Sequence, residues 1–125
     1  MSDALAQFEG QQYVSLETYK KSGQAVPTPV WFCIERGLLY VNAPQHTGKV
    51  KRLRNNPQLR LAVCNATGKI RGPWANGRVR FVDGPEAASA DRKLKRKYGV
   101  QRLLIDVIGK LRGWRSVMLA IEVEP

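Results

Sequence analysis

The chain has 125 residues, which is enough for one ordinary domain with a sizeable core and too few for two. The first ten residues lack the basic start and apolar stretch of a signal peptide, and no apolar run reaches the roughly 20 residues that a membrane span needs. A net charge of +11 favours an anionic partner, which is a nucleic acid, an acidic membrane surface or a phosphorylated small molecule. We therefore expect one cytoplasmic domain over residues 1–125, whose residues 1–11 form a flexible or helical arm.

Alternating side chains predict a first strand over residues 12–20, and a polar connection leads to a second over residues 25–35. Pro27 and Pro29 lie two positions apart in that second strand, so backbone donors are missing along one of its sides. Proline in this pattern is typical of an edge strand. A turn at residues 36–37 then precedes a third strand over residues 38–42.

The remaining elements follow in chain order. A short helix is predicted over residues 47–56, because Asn-Asn-Pro ends it, and a fourth strand over residues 59–65. A fifth strand over residues 69–82 is interrupted by Gly72-Pro73, and the chain then continues as helices over 86–98 and 100–111 and a last strand over 116–124. Hairpin-linked strands with few helices favour a small antiparallel barrel over a doubly wound α/β sheet.

Cysteine and histidine usage limits the chemistry. Cys33 and Cys64 lie on separate apolar segments, and His46 is the single histidine of the chain. This pattern does not support a zinc site or a disulfide framework, so we expect no metal and two buried free thiols. A catalytic triad and a pair of hydrolytic carboxylates find no support either.

The stretch between Glu35 and Asp83 contains no acidic residue, although it carries ten basic ones. Within it, Thr47 suits a helix N-cap, Gly48 lets an anion approach the backbone, and Lys49 and Arg52 share one flank of the helix. Helix N-termini bind phosphates through free backbone N–H groups and the positive end of the dipole. The alternative is a solvated basic helix that covers one end of the barrel, and spacing alone does not separate the two.

Two aromatic positions are candidates for a ligand cleft. The edge at Pro27–Phe32 leaves carbonyl groups and the Thr28 hydroxyl free for a planar polar ligand, with Trp31 as a stacking face. The alternative is an ordinary edge strand that proline protects from aggregation. Trp74 follows Gly72-Pro73, which is either a bulge that turns this side chain towards a cleft or only a bend.

The helical segment over residues 91–115 is strongly basic and has an apolar stripe at helical spacing. The stripe either packs on its own domain with solvated charges, or lies on a membrane surface or a nucleic acid. Neither an RNA-binding strand motif nor a helix-turn-helix pattern accompanies it, so no nucleic-acid partner is expected. The residues of the stripe are Leu103, Leu104, Val107, Ile108 and Leu111.

Four runs in the right order carry a resemblance: VPTPVWFCIERGLLYVN, HTGKVKRLRNNP, RGPWANGRVRFVD and RKLKRKYG. Together they resemble the split-barrel flavin and deazaflavin reductases related to pyridoxamine 5′-phosphate oxidase, in particular the branch of F420-dependent oxidoreductases. The likeness extends over roughly residues 13–121. It implies a six-stranded antiparallel split β-barrel with short helices, which forms a homodimer with cofactors in two grooves at the subunit interface.

The resemblance also implies roles for individual residues. The residues expected along the tricyclic ring are Thr28, Pro29, Val30 and Trp31. Those expected at the phosphate end are Thr47, Gly48, Lys49 and Arg52, while Arg71 and Trp74 border the cleft, contributed by the second subunit.

One departure from the family pattern bears on the cofactor. The oxidase has an Arg-Lys pair where this chain has Gly48-Lys49, and no clamp for a vitamin phosphate is evident, so oxidation of pyridoxamine phosphate is not expected. Coenzyme F420 carries a phosphodiester and an acidic tail, which suits the surplus of Lys51, Arg52 and Arg54. We therefore expect F420-dependent hydride transfer involving an unidentified organic small molecule. FMN is the alternative cofactor, a non-enzymatic cofactor-binding protein fits the same residues, and no catalytic acid or base is identified.

Overall fold

The computed structural model describes residues 3–125, and Met1 and Ser2 of the predicted arm lie outside the described residues. A 3-10 helix over Asp3–Phe8 begins this part of the chain, so its arm is helical. The strands are β1 Tyr13–Tyr19, β2 Ala25–Val30, β3 Cys33–Glu35, β4 Leu38–Pro44, β5 Gln58–Cys64, β6 Ala75–Val82 and β7 Ser116–Val123. The helices are α1 Gly48–Asn55, α2 Gly84–Tyr98 and α3 Val100–Leu111.

The strands form one antiparallel sheet in the order β2-β1-β5-β6-β7-β4-β3. Strands β2 and β3 are consecutive in the chain but lie at opposite edges, so the sheet curls without closing. This is an open, split barrel, and the predicted fold class is confirmed. Pro27 and Pro29 lie on the edge strand β2, where the missing donors leave the ladder to β1 on the other side intact.

The sheet has seven strands and not six, because the predicted strand over residues 25–35 is two strands. Between them, the backbone of Phe32 bonds to side chains of α2 and not to a strand. Its N–H donates to the Tyr98 hydroxyl at 3.0 Å, and its carbonyl accepts from Lys97 Nζ at 2.9 Å. These bonds redirect the chain from one edge of the sheet to the other.

Two apolar cores hold the fold. The concave face of the sheet packs around Leu16, Leu61 and Ile121, and the arm and α1 add Phe8 and Leu53. On the convex face, α2 covers β3, β4 and β7. The buried residues of this second core are Cys33, Tyr40, Ala90, Leu94, Tyr98, Met118 and Ala120. Each large side chain buried in this way contributes about 1.5–3 kcal/mol.

One further expectation needs correction. Of the predicted strand over residues 69–82, only the part from Ala75 is a strand, which is β6. In residues 69–74 the structure gives an isolated β-bridge between Ile70 and Cys64. The bend at Gly72-Pro73 separates this bridge from β6. The other elements agree within two residues at each end, and the two thiols are free and buried as predicted. Within residues 3–125, no helix has the length and apolar character needed to cross a bilayer.

Candidate functional site

The start of α1 is open to an anion. Thr47 is the N-cap residue with an extended backbone, but its hydroxyl donates to the Pro44 carbonyl at 2.9 Å and makes no capping bond. The first turn of α1 contains no acidic residue. The N–H groups of this turn therefore have neither a side-chain cap nor a carboxylate, and the positive end of the helix dipole is uncompensated.

Arg52 lies across this helix start. Its Nε donates to Thr18 Oγ1 at 2.7 Å, and the Thr18 hydroxyl donates to the Val26 carbonyl of β2 at 3.5 Å. A Cβ at Gly48 would stand 2.7 Å from Arg52 Nη1, which is too close for any real contact. The absence of a side chain at Gly48 is what allows the guanidinium to lie here.

Lys49 adds a second cation to the same turn and is half-buried. Burial, and after it the neighbouring Arg52 guanidinium, lowers the pKa of the Lys49 ammonium from its ordinary value. Neither residue forms an ion pair within residues 3–125. Two adjacent cations without a carboxylate make this corner the natural place for an anion.

The edge strand β2 presents its residues on the same side of the sheet as this corner. Thr28 and Val30 are register partners of Leu16 and Val14, which are buried in the concave core. Thr18, the residue that Arg52 contacts, pairs with Val26. Thr28 lies two positions after Val26 on β2, and two residues of a strand span about 7 Å. Thr28 and Val30 of the predicted ring segment therefore lie on the same rim of the barrel as the predicted phosphate segment, whereas Trp31 packs against the second core. Pro29 is exposed on the other face, beside Gly68.

Trp31 has one ring face already occupied. Its indole stacks on the Tyr98 ring with a centroid separation of 4.4 Å and an angle of 10° between the planes. Burial is the main cause that raises the pKa of Tyr98 to about 12, so this phenol stays protonated. Trp31 also lines a cavity of about 300 Å³ with Leu94, Ile105 and Trp114. That volume lies at the lower end of ligand pockets.

Arg71 and Trp74 lie elsewhere in the chain's own fold. The Arg60 guanidinium stands over the Trp74 ring at 4.4 Å and forms a two-pronged ion pair with Glu17, whose carboxylate is largely buried. Glu17 and Arg60 are register partners on the convex face, opposite the side where α1 packs. Arg71 is exposed, and its N–H donates to the Val63 carbonyl at 2.7 Å. A single copy of the chain does not bring either residue to the Lys49–Arg52 corner.

Sequence reasoning missed Thr18 and Tyr98. Thr18 is buried and fixes Arg52, while Tyr98 supports Trp31 and bonds the backbone at Phe32. The only available signal for Thr18 was a polar residue on the apolar side of an alternating strand. Tyr98 looked like an ordinary last residue of an amphipathic helix.

The fold is an open split barrel, and the comparisons agree with that class. The family described as pyridoxamine 5′-phosphate oxidase matches residues 1–119, and the chain belongs to this family. No curated protein matches the chain significantly.

Solved structures show the same fold at low sequence identity. A structure described as an F420 reductase is 16% identical with a TM-score of 0.67, and the match covers 100% of this chain and 96% of that one. A conserved hypothetical protein from Mycobacterium tuberculosis is 18% identical with a TM-score of 0.72, covering 100% and 82%. The heme storage protein HutZ from Vibrio cholerae is 14% identical with a TM-score of 0.72, covering 94% and 84%. At these identities the likeness shows the fold alone.

Proposed function

We propose that the protein is an oxidoreductase that binds coenzyme F420, with the anionic part of the coenzyme at the start of α1 and its ring along Thr28–Trp31. The observation that supports this is the uncompensated positive charge of Lys49 and Arg52 at an uncapped helix start. That charge lies on the same rim of the barrel as the edge strand β2. A flat molecule with an anionic tail matches both features.

The residues present fit such a coenzyme. The bare backbone at Gly48 permits close approach, and the Lys49 ammonium would donate to a phosphodiester oxygen while Arg52 flanks it. Lys51 is exposed and free for the acidic tail, whereas the Arg54 guanidinium stands 4.3 Å over the Phe81 ring. The bound coenzyme supplies the hydride chemistry, and the chain's residues supply binding, orientation and exclusion of water.

A second copy of the chain completes the proposed cleft. Arg71 and Trp74 lie away from the α1 corner in one copy, so they border the coenzyme only if a homodimer brings them from the partner. The acceptor is an organic small molecule, and no side chain is assigned as its proton donor.

The test is a titration of purified protein with F420 and, separately, with FMN, followed by intrinsic fluorescence. We expect F420 to bind at micromolar concentration or below, and Lys49→Ala to weaken this binding by about 1.5–3 kcal/mol, the usual worth of a hydrogen bond to a charged group. Lys51→Ala is the matched control, since it removes the same charge from the exposed side of the same helix, where contact with the acidic tail is screened by water and costs under about 1 kcal/mol. Failure of both coenzymes to bind, or an equal effect of the two substitutions, contradicts the proposal.

FMN is the second candidate, because a single terminal phosphate would also fit the Lys49–Arg52 corner. The colour of the purified protein distinguishes the two cofactors. Bound FMN makes a protein yellow, whereas a protein that binds F420 only on titration is colourless before F420 is added. Binding without hydride transfer to any acceptor would identify a cofactor carrier.

A further inference from the structure

Helix α3 packs with its polar side inward. Arg102 is 8% exposed, its Nε donates to Asp106 at 2.8 Å, and its Nη2 pairs with Asp91 of α2. Although burial of Asp91 acts in the opposite direction, Arg102 and then Lys95 lower the pKa of that carboxyl below its usual value. An ion-pair cluster, and not an apolar seam, therefore fastens α3 to the domain.

The apolar side of the same helix faces outward. Of the alternatives for the stripe over residues 103–111, packing on its own domain is contradicted, because Leu103, Leu104 and Leu111 are 61%, 59% and 83% exposed. We call the whole exposed surface the α3 face. Its residues are Val100, Leu103, Leu104, Ile105, Val107, Ile108 and Leu111, all between 47% and 83% exposed. Contiguous exposed apolar surface of this kind marks an interaction site.

The charges around the α3 face indicate which kind of partner would bind it. Asp106 is the single acidic residue of α3, and Arg102 holds it on the inner side. Lys110 in the last turn of α3, and Arg112 and Arg115 after it, are exposed and form no ion pair within residues 3–125. The surface is thus apolar along the helix and cationic at its end, with no free carboxylate.

Trp114 sits at the boundary between these two zones. It is 39% exposed, and the Arg112 guanidinium lies 5.8 Å from the centre of its ring. Tryptophan beside basic residues at the end of an apolar helix face is the arrangement that places a helix at the headgroup level of a bilayer. A second α3 face fits less well, because two such faces packed together would bring their cations close to one another with no free carboxylate on either face to receive them.

We propose that the α3 face and the cations at its C-terminal end bind the surface of an anionic lipid bilayer, with α3 in the plane of the headgroups. The apolar side chains enter the boundary between headgroups and acyl chains, and Lys110, Arg112 and Arg115 contact lipid phosphates. The helix is 12 residues long, which is about 18 Å, so it lies on the membrane and does not cross it. The proposal is independent of the coenzyme.

The test is sedimentation of the full chain with large unilamellar vesicles, one set of pure phosphatidylcholine and one containing phosphatidylglycerol. We expect binding to the anionic vesicles only, falling with salt. A variant with Lys110→Ser, Arg112→Ser and Arg115→Ser binds them about 100-fold more weakly. The control removes three cations far from α3, through Lys20→Ser, Lys21→Ser and Arg78→Ser, and loses less than fivefold.

The apolar contribution is tested with Leu104→Glu and Leu111→Glu together. Both side chains are exposed, so the thermal unfolding temperature stays unchanged while vesicle binding is lost. Equal losses in the two charge variants would mean that net charge, and not this surface, drives binding. Absence of binding to either vesicle at low salt overturns the proposal. So does a native oligomer that the leucine variant dissociates, since that result would assign the α3 face to a contact between copies.

Discussion

Substitution of Gly48 by alanine should change the stability of the fold and the affinity for the coenzyme by different amounts. The added Cβ would stand 2.7 Å from Arg52 Nη1, so the guanidinium must move. Movement is possible because this is the far end of a flexible side chain, but it breaks the 2.7 Å bond from Arg52 Nε to Thr18. The consequences for stability and for affinity then differ.

For stability, two effects oppose each other. The lost bond involves a charged donor, for which about 1.5–3 kcal/mol is usual, and the partial exposure of Arg52 puts it at the lower end of that range. Replacing glycine by alanine in a helix returns roughly 0.5–1 kcal/mol. We therefore expect Gly48→Ala to lower the free energy of unfolding by about 1 kcal/mol or less, as measured by urea denaturation.

For affinity, both effects act in the same direction. The methyl group occupies the approach to the backbone N–H groups, and the displaced guanidinium no longer flanks the anion. We expect Gly48→Ala to weaken coenzyme binding at least tenfold, about 1.4 kcal/mol, in the same fluorescence titration.

A double-mutant cycle with Arg52→Ala tests the cause. In the Arg52→Ala background the new Cβ meets no guanidinium, so Gly48→Ala should stabilise the protein slightly and weaken binding by less than in the native background. Identical effects of Gly48→Ala in both backgrounds would show that the contact between Gly48 and Arg52 is not what this glycine serves.

Three further predictions concern residues outside the α1 corner. Burial is the main cause that lowers the pKa of Lys97 to about 8, so the unfolded chain binds more protons above that pH. The free energy of unfolding of the native protein should therefore rise from pH 8 to 9 relative to that of Lys97→Met, and a flat difference would refute the assignment. Tyr98→Phe removes the hydroxyl that accepts from the buried Phe32 N–H, and urea denaturation should show a loss of about 1–3 kcal/mol; a change below 0.5 kcal/mol would mean that water replaces it. Glu17→Gln weakens the ion pair to the partly exposed Arg60 and should cost about 1–2 kcal/mol, with the Trp74 fluorescence altered as the guanidinium above it moves. An unchanged spectrum would show that Glu17 does not position Arg60.

Local patterns were sufficient for much of the fold. The period of two along β1 and the pair Pro27 and Pro29 predicted a first hairpin with β2 at the edge, because these signals depend only on neighbouring residues. Helix α3 was predicted with its observed bounds from apolar spacing. Spacing cannot say which way a helix faces, however. That depends on the pairing of Arg102 with Asp91, eleven residues away on another helix.

The predicted site shows the same limit. Lys49 and Arg52 could be placed on one flank because helical geometry fixes their spacing. The bond from Arg52 to Thr18 joins residues 34 positions apart, so the spacing along α1 cannot reveal it. The bond from the Thr47 hydroxyl to the Pro44 carbonyl is local, but it depends on the conformation of the loop before α1 and not on residue type alone. Whether Arg71 and Trp74 join the site depends on a second chain, which no property of one sequence segment encodes.

The ion pairs of the acid-free stretch bear on the proposed anion site. A stretch with ten cations and no acid can either be solvated throughout or recruit acids from outside. In the structure, two of these cations form ion pairs with acidic residues from outside the stretch. The cations that pair with acids from outside the stretch are Arg60 with Glu17 and Arg80 with Glu86, while Arg54 lies over the Phe81 ring within it. Lys49 and Arg52 receive no carboxylate, although they are partly buried and adjacent, which is where an unpaired charge costs most. Arg60, which is partly buried as well, has the Glu17 carboxylate as its partner, so Lys49 and Arg52 are the partly buried cations of the stretch without one among the described residues. Their position at an open helix start is what an external anion would complete.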